Sequence, residues 1–374
     1  MVLSLAFILS IVASAVAVVL IFPIVGAVQA QIDCPAIIGE ATQGIMYISD
    51  SAGGEQFRGY DLSGNTLYQF DIQGVLGTNE NKGVGSDSEG NIYVTDITTE
   101  LTIKLDPTLS QILQTFTVPS GDPFDVAVDS QDFVYVADRA NDQIVKFAQN
   151  GTIVLSWGSL GNATGQFDDP VSLYFDSNDI LYVLDGGQIV SSRVTKYDTD
   201  GNFISSWNIT GAPSVPIYIT IDDNDFVYIA DGLGLGYGSG DNFISKFDTD
   251  GNLLLQFDGD GDDGILTTLN LPTVHGISVI GDRLFVGLGD TNNNTFGYFL
   301  TTDGTQLQFQ TGDLGAMTSL EDIEIIGGTS PTSTPNQSCE SGKALVTSAI
   351  GIIPVGLFFG LFTMFNMIGL GKSV

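Results

Sequence analysis

The densest run of ligand-bearing side chains in this 374-residue sequence is Asp258-Gly-Asp-Gly-Asp-Asp-Gly264. Its carboxylates Asp258, Asp260, Asp262 and Asp263, spaced by glycine, offer hard oxygen ligands on a pliable loop, a donor set that suits Ca²⁺. The run lacks the distant bidentate Glu of an EF-hand, so a solvated acidic turn is the alternative reading. His275 is the one histidine, which excludes any site built on two or three imidazoles. It is a candidate ligand contact or general base, against the alternative of a hydrogen-bonded structural residue. Tyr237 and Asp241 in the glycine-rich run 231–241, and Asp290 before Asn292, are further candidate ligand contacts. No Ser-His-Asp arrangement, P-loop or His/Cys metal cluster is present, and no catalytic residue is picked out.

The elements that must position these residues are short strands. Ile45-Met-Tyr-Ile-Ser-Asp50 recurs as Asn91-Ile-Tyr-Val-Thr-Asp96, Phe133-Val-Tyr-Val-Ala-Asp138, Ile180-Leu-Tyr-Val-Leu-Asp185 and Phe226-Val-Tyr-Ile-Ala-Asp231, then as a degenerate Arg283-Leu-Phe-Val-Gly-Leu288. The interval is 42 to 57 residues. β-Branched and aromatic runs at that interval, separated by Gly/Asp/Asn turns, predict four-stranded propeller blades. Asp50, Asp96, Asp138, Asp185 and Asp231 would ring one face; they could concentrate cations, but recurrence in each blade favours turn capping. The repeated Thr-Asp-Gly-Asn turns at 199–202 and 249–252 supply the positive φ values of hairpins and need no metal.

The segment Trp157-Gly-Ser-Leu-Gly-Asn-Ala-Thr-Gly-Gln-Phe167, then Pro170-Val-Ser-Leu, resembles the blade-linking loop of NHL-repeat β-propellers, and Asp138-Arg-Ala-Asn-Asp-Gln-Ile-Val-Lys-Phe147 resembles their second and third strands. The likeness runs over residues 37–328 and is clearest between 120 and 257. It implies an all-β, six-bladed NHL-like propeller. NHL-type lyases rely on several zinc-binding histidines, which this chain does not have. Lactonase-like relatives use carboxylates and Asn around a channel Ca²⁺.

Strand counting predicts a composite closing blade. The first segment lacks a first strand, and Leu320-Glu-Asp-Ile-Glu-Ile-Ile326 is an orphan first strand. Cys34 and Cys339 flank this junction, so a disulfide clasp between them is expected if the domain faces an oxidising exterior. Residues 1–30 carry no charge and read as a signal peptide or an N-terminal membrane helix. Residues 31–328 form the propeller, 329–342 a Ser/Thr/Pro stalk, 343–370 a transmembrane helix and 371–374 a short cytoplasmic tail. At about 1.5 Å per residue the apolar run 344–370 spans roughly 40 Å. Gly356 and Gly360 give that helix a small-xxx-small face for pairing.

The charge balance is lopsided. Against 44 Asp+Glu stand 11 Lys+Arg, a formal net charge of -33, which excludes the basic footprint of a nucleic-acid binder. Mean hydropathy is nevertheless +0.24, because the apolar excess lies in the two ends while 43 acids and nine bases fall between residues 31 and 338. Sequons at Asn150, Asn162, Asn208, Asn293 and Asn336 permit glycosylation. The expected protein is a membrane-anchored, extracellular binding or scaffold module that meets a protein or glycan partner through its membrane-distal loop face. The alternative is a Ca-dependent lactonase/hydrolase-like or lyase-like propeller enzyme.

Overall fold

The computed structural model describes residues 44–327 apart from 51–55, 63, 78–79, 187–191, 210–215, 232–243, 258–272, 282, 290–294, 302–305 and 311–319. Residues 41–330 form one compact unit. No helix among the described residues is long and apolar enough to cross a membrane. The expected signal peptide, stalk, transmembrane helix, Gly356–Gly360 pairing face and Cys34–Cys339 clasp all lie outside the described residues.

The chain begins with three strands, β1 (Ile45–Asp50), β2 (Gln56–Asp61) and β3 (Thr66–Asp71). A helix, α1 (Ile72–Leu76), follows, an element the all-β reading did not include. Asp71 caps it by accepting from the Gly74 N–H at 2.8 Å, and Gly77 ends it at φ 78°. Next come β4 (Asn81–Ser86), β5 (Ile92–Asp96), β6 (Leu101–Leu105) and β7 (Ile112–Thr117). The third group is β8 (Pro123–Val128), β9 (Val134–Asp138), β10 (Gln143–Phe147) and β11 (Ile153–Gly158). The fourth is β12 (Pro170–Phe175), β13 (Leu181–Asp185), β14 (Arg193–Tyr197) and β15 (Phe203–Asn208). The fifth is β16 (Pro216–Ile221), β17 (Val227–Asp231), β18 (Ile244–Phe247) and β19 (Leu253–Phe257). Last are β20 (Thr273–Ile280), β21 (Arg283–Gly289), β22 (Thr295–Thr301), β23 (Gln306–Gln310) and β24 (Leu320–Ile326).

Five blades are each built from four consecutive strands, and a further four-stranded sheet is composite, in the order β24-β1-β2-β3. The pairings between these strands are antiparallel, and β24 lies along β1 from Asp50↔Leu320 to Ile45↔Ile326. The innermost strands β4, β8, β12, β16, β20 and β24 contact one another in turn, and β24 meets β4 to close the ring. The composite blade expected from strand counting is therefore present, and the chain both enters and leaves the ring on the face that bears the first-to-second hairpins.

Repeated side-chain sets hold the blades together. Asp87 accepts from the Tyr93 hydroxyl at 3.1 Å and pairs with Lys104 at 2.7 Å. Asp129 takes the Tyr135 hydroxyl at 2.9 Å with Lys146 at 3.8 Å, and Asp222 takes that of Tyr228 at 2.9 Å with Lys246 at 3.9 Å. Burial works against the charge on Asp87, yet the bonds from Lys104 and Asn91 hold its carboxyl below the usual range. The lysine stems also lie on aromatic rings, with Lys146 Nζ 4.2 Å from the Phe133 ring centre and Lys246 Nζ 4.1 Å from that of Phe226. Between blades, the Ser88 N–H donates to Asp132 at 3.2 Å, and the Ser177 N–H and hydroxyl each donate to Asp225 at 3.1 Å. Ser130 binds Asp179 in the same way.

Trp207 covers the turn of the following blade. Gly251 sits there at φ 83°, and an added Cβ would stand 2.2 Å from Trp207 Cγ. Gly165 has a similar φ of 81° with nothing within 4 Å. Gly165→Ala is expected to cost about 1 kcal/mol from backbone strain alone. Gly251→Ala should lose a further 1–3 kcal/mol or so from overpacking. Urea unfolding of the two variants side by side measures the difference; equal losses would show that Trp207 gives way freely.

Candidate functional site

The site with the most concentrated chemistry lies on the propeller axis. In β8, β12 and β16 the pairing with the second strand shifts by one residue after the opening proline, as between Pro123 and Asp125 or Pro170 and Ser172. Such a bulge re-aims the next side chain. In β24 the same shift falls between Leu320 and Asp322. Asp125, Ser172, Tyr218 and Asp322 thus occupy one ring position near the linker face, and Tyr174 and Glu324 lie two residues deeper.

These side chains bridge blade to blade. The Leu173 N–H donates to Asp125 Oδ2 at 2.7 Å, the Val84 N–H to Asp322 Oδ2 at 2.8 Å, and the Ile219 N–H to the Ser172 hydroxyl at 3.3 Å. The Ser86 hydroxyl donates to Glu324 at 2.6 Å, and the Ile325 N–H to the Ser278 hydroxyl at 3.3 Å. Each bond satisfies a group on the inner edge of a neighbouring sheet. Gly83 makes room for them, since a Cβ there would stand 2.3 Å from Asp125 Oδ1.

A cavity of about 200 Å³ runs along the axis, lined among others by Ser86, Asp125, Ser172, Tyr174, Asp322 and Glu324. A narrower recess toward the linker face adds Lys82, Phe124 and Tyr218. Asp125 is buried. Asp322 and Glu324 keep partial exposure, and both border the cavity. Among the described residues none of the three forms an ion pair. Burial raises the carboxyl of Glu324 to about 7, against the bond from Ser86. Burial likewise raises Asp125, and raises Asp322 well above the usual range with Asp125's charge as the next cause. Carboxyls of this kind can carry a proton near neutrality or attract a cation. Among the described residues no group of three or more His, Cys, Asp or Glu is arranged to hold a metal ion.

Most of the candidate residues read from the sequence lie outside the described residues. His275 lies on β20 at the register shift between Val274 and Gly276, and its side chain is outside the described residues. So are Tyr237, Asp241, Asp290, the acidic run Asp258, Asp260, Asp262 and Asp263, Cys34, Cys339, Asn293 and Asn336. Asn150, Asn162 and Asn208 are exposed. Of the motif-ending aspartates, Asp96 caps its turn, accepting from Thr99 N and Oγ1 at 2.8 Å each, whereas Asp138 accepts from Asp122 N at 3.0 Å and Asp185 from Asp168 N at 2.8 Å, both in the linker before the blade's first strand; the side chains of Asp50 and Asp231 lie outside the described residues. Asp185 also binds Arg193, whose guanidinium holds the linker through the carbonyls of Asn162 at 2.7 Å and Gln166 at 2.6 Å. Asp125, Asp322 and Glu324 were not among the candidates. Their signal was an acid within a mostly apolar first strand, at positions where the other blades carry Gly, Ala, Ser, Tyr or Thr.

No protein-family model matches the chain. A stretch of 107 residues is 36% identical to the peptidylglycine alpha-amidating monooxygenase of Rattus norvegicus, covering 24% of this chain and 11% of that protein. A protein of unknown function from Bacteroides caccae superposes with a TM-score of 0.56 at 12% identity, over 76% of this chain and 99% of that one. A chain of the nidogen/laminin complex gives 0.56 at 13% identity, over 75% and 98%. The chain is a β-propeller. Likeness at that level of identity fixes the fold alone, and the chain spans about a tenth of the curated relative.

Asp125→Ala is expected to leave the Leu173 N–H without its acceptor and to cost about 1–3 kcal/mol. Urea unfolding at pH 5 measures this with Asp125 largely neutral; an unchanged midpoint would show that water replaces the carboxyl without loss.

Proposed function

We propose that this chain is an NHL-type, membrane-anchored cell-surface propeller that works as a binding or scaffold module through its linker face. The observation that carries this reading is the contrast between the two faces. Hairpin turns are closed by their own side chains, as where Asp198 accepts from Asp200 N at 3.0 Å and Asn202 N at 2.8 Å. On the opposite face the linker 158–169 is a longer loop pinned from below by Arg193, with Leu160 56% exposed at its tip. An elaborated loop held on a rigid support is a common place for recognition.

The charge distribution supports the same reading. Lys104, Lys146, Lys246, Arg139 and Arg193 are drawn into pairs with aspartates, which leaves the exterior strongly acidic and favours a partner with a basic or sugar-rich surface. The exposed sequon Asn162-Ala-Thr164 is a proposed glycan site on this face. The run Asp258 to Asp263 is a proposed Ca²⁺ loop, tested by calorimetric titration of Ca²⁺ into the full chain.

A photo-crosslinking residue at Leu160 is expected to give discrete adducts on intact cells, whereas the same group at Leu254, exposed on the outermost strand β19, should give none. Adducts from Leu254 alone would overturn the assignment of faces. The enzyme reading rests on Glu324 and Asp125, whose raised carboxyls suit general acid–base work near neutral pH. Lactone or ester turnover that depends on Ca²⁺ and falls at least a hundredfold or so in Glu324→Gln would replace the binding reading.

A further inference from the structure

Three carboxyl groups border one axial cavity, and among the described residues no cation stands within ion-pair distance of any of them. Isolated buried carboxylates are costly, and a protein meets that cost with a counter-ion or a proton. The described groups around the cavity allow an inventory. From β4 come Lys82 at the recess and the Ser86 hydroxyl; from β12, Ser172 and Tyr174; from β16, Tyr218; from β24 and β8, the carboxyls themselves. On β20, Ser278 is committed to the Ile325 N–H. On β1, Ser49 donates to the Lys82 carbonyl at 2.6 Å. The side chains of His275 on β20 and Glu321 on β24 are outside the described residues. The inventory holds one described base against three acids, and the acids do not form a metal-ligand set.

The location matters as much as the composition. Asp322 belongs to β24, the strand that closes the ring, and Asp125 to β8, one blade beyond β4. The two flank Gly83: Asp322 binds the N–H of the next residue, Val84, and Asp125 fills the space beside the glycine. We propose that Asp125 and Asp322 share a proton across Gly83, with Glu324 as its neighbour, forming a proton-operated latch on the seam where the ring closes. While the proton is held, one carboxyl donates and the other accepts. When it is lost, two charges on the blades that flank the β4 blade repel across Gly83.

The direction of the pH dependence follows from linkage. Burial raises all three carboxyls in the folded chain, so the folded state takes up protons that the unfolded chain has already released. The contribution is fully present below the ordinary carboxylate range, declines as pH rises through it, and is gone once the raised groups have ionised above about 7. The thermal midpoint of the full chain is therefore expected to fall between pH 5 and pH 8. Asp322→Asn puts a permanent donor beside Asp125 and should flatten that fall, leaving the variant more stable than the parent at pH 8.

The high net charge also softens the fold as pH rises, and Asp200→Asn with Asp250→Asn, in exposed turns, controls for it; these should keep the parent slope. A parent slope that survives in Asp322→Asn, or a parent midpoint that does not fall, overturns the latch. Infrared difference spectra of the parent supply a readout that needs no variant: a protonated-carboxyl band present at pH 6 and lost by pH 9 is expected, and its absence at pH 6 refutes the shared proton. The test is independent of any partner at the linker face.

Discussion

A ring of sheets is free of open edges only if its last strand finds its first, and here β24 pairs with β1 along its whole length. That pairing joins segments about 280 residues apart. The entropy of closing so long a loop grows only with the logarithm of its length, so one complete sheet can outweigh it. Neighbouring blades prepare the seam. Gly276 and Gly287 stand opposite each other on β20 and β21, and a Cβ on either would crowd Ile323 and Leu320 of β24. A side chain at either position would have to displace Ile323 and Leu320, so the two glycines set how closely the closing strand packs.

The blades spend their few bases inward. Each Asp–Tyr–Lys set ties the first, second and third strands of one sheet at a point where a buried carboxylate has both a cation and a hydroxyl. A buried charge paired on two sides is tolerated, whereas truncating one partner strands the other. The outcome at the level of the whole molecule is a surface that is acidic because its lysines are elsewhere, and the sequence total of 11 bases understates how one-sided the exterior is. The channel carboxyls differ in kind, since they have hydrogen-bond donors and no cation.

Much of the architecture was legible in the sequence because strand alternation and hairpin turns are local. The motif Phe-Val-Tyr-Val-Ala-Asp138 carries its own stop: the aspartate ends the strand and accepts from the Asn141 and Gln143 side chains just beyond it. Where Leu288 replaces it, β21 runs on to Gly289, seven residues against five in β9 or β13. That substitution blurred the last blade in sequence without removing it. Helix α1 was missed because Asp71 reads equally as a strand end and as an N-cap, and only the spacing to Gly74 and Gly77 separates the two. The channel was not legible, because which residues of six first strands converge depends on the one-residue shift after each opening position and on the offset between blades. Neither is a local property.

The inner strands share one problem, which shows what the channel acids add. Each presents an unpaired edge to its neighbour, and a buried N–H left without an acceptor is expensive. Ser172 solves it for the Ile219 N–H with a neutral hydroxyl, and Ser278 does the same for the Ile325 N–H. Asp125 and Asp322 make the equivalent bonds to the Leu173 and Val84 N–H groups with a charge that must be removed from water. Serine at those two positions would satisfy the same edges at lower desolvation cost. The hydrogen bond alone therefore does not account for an acid there, and what distinguishes the acid from serine is its capacity to hold or release a proton.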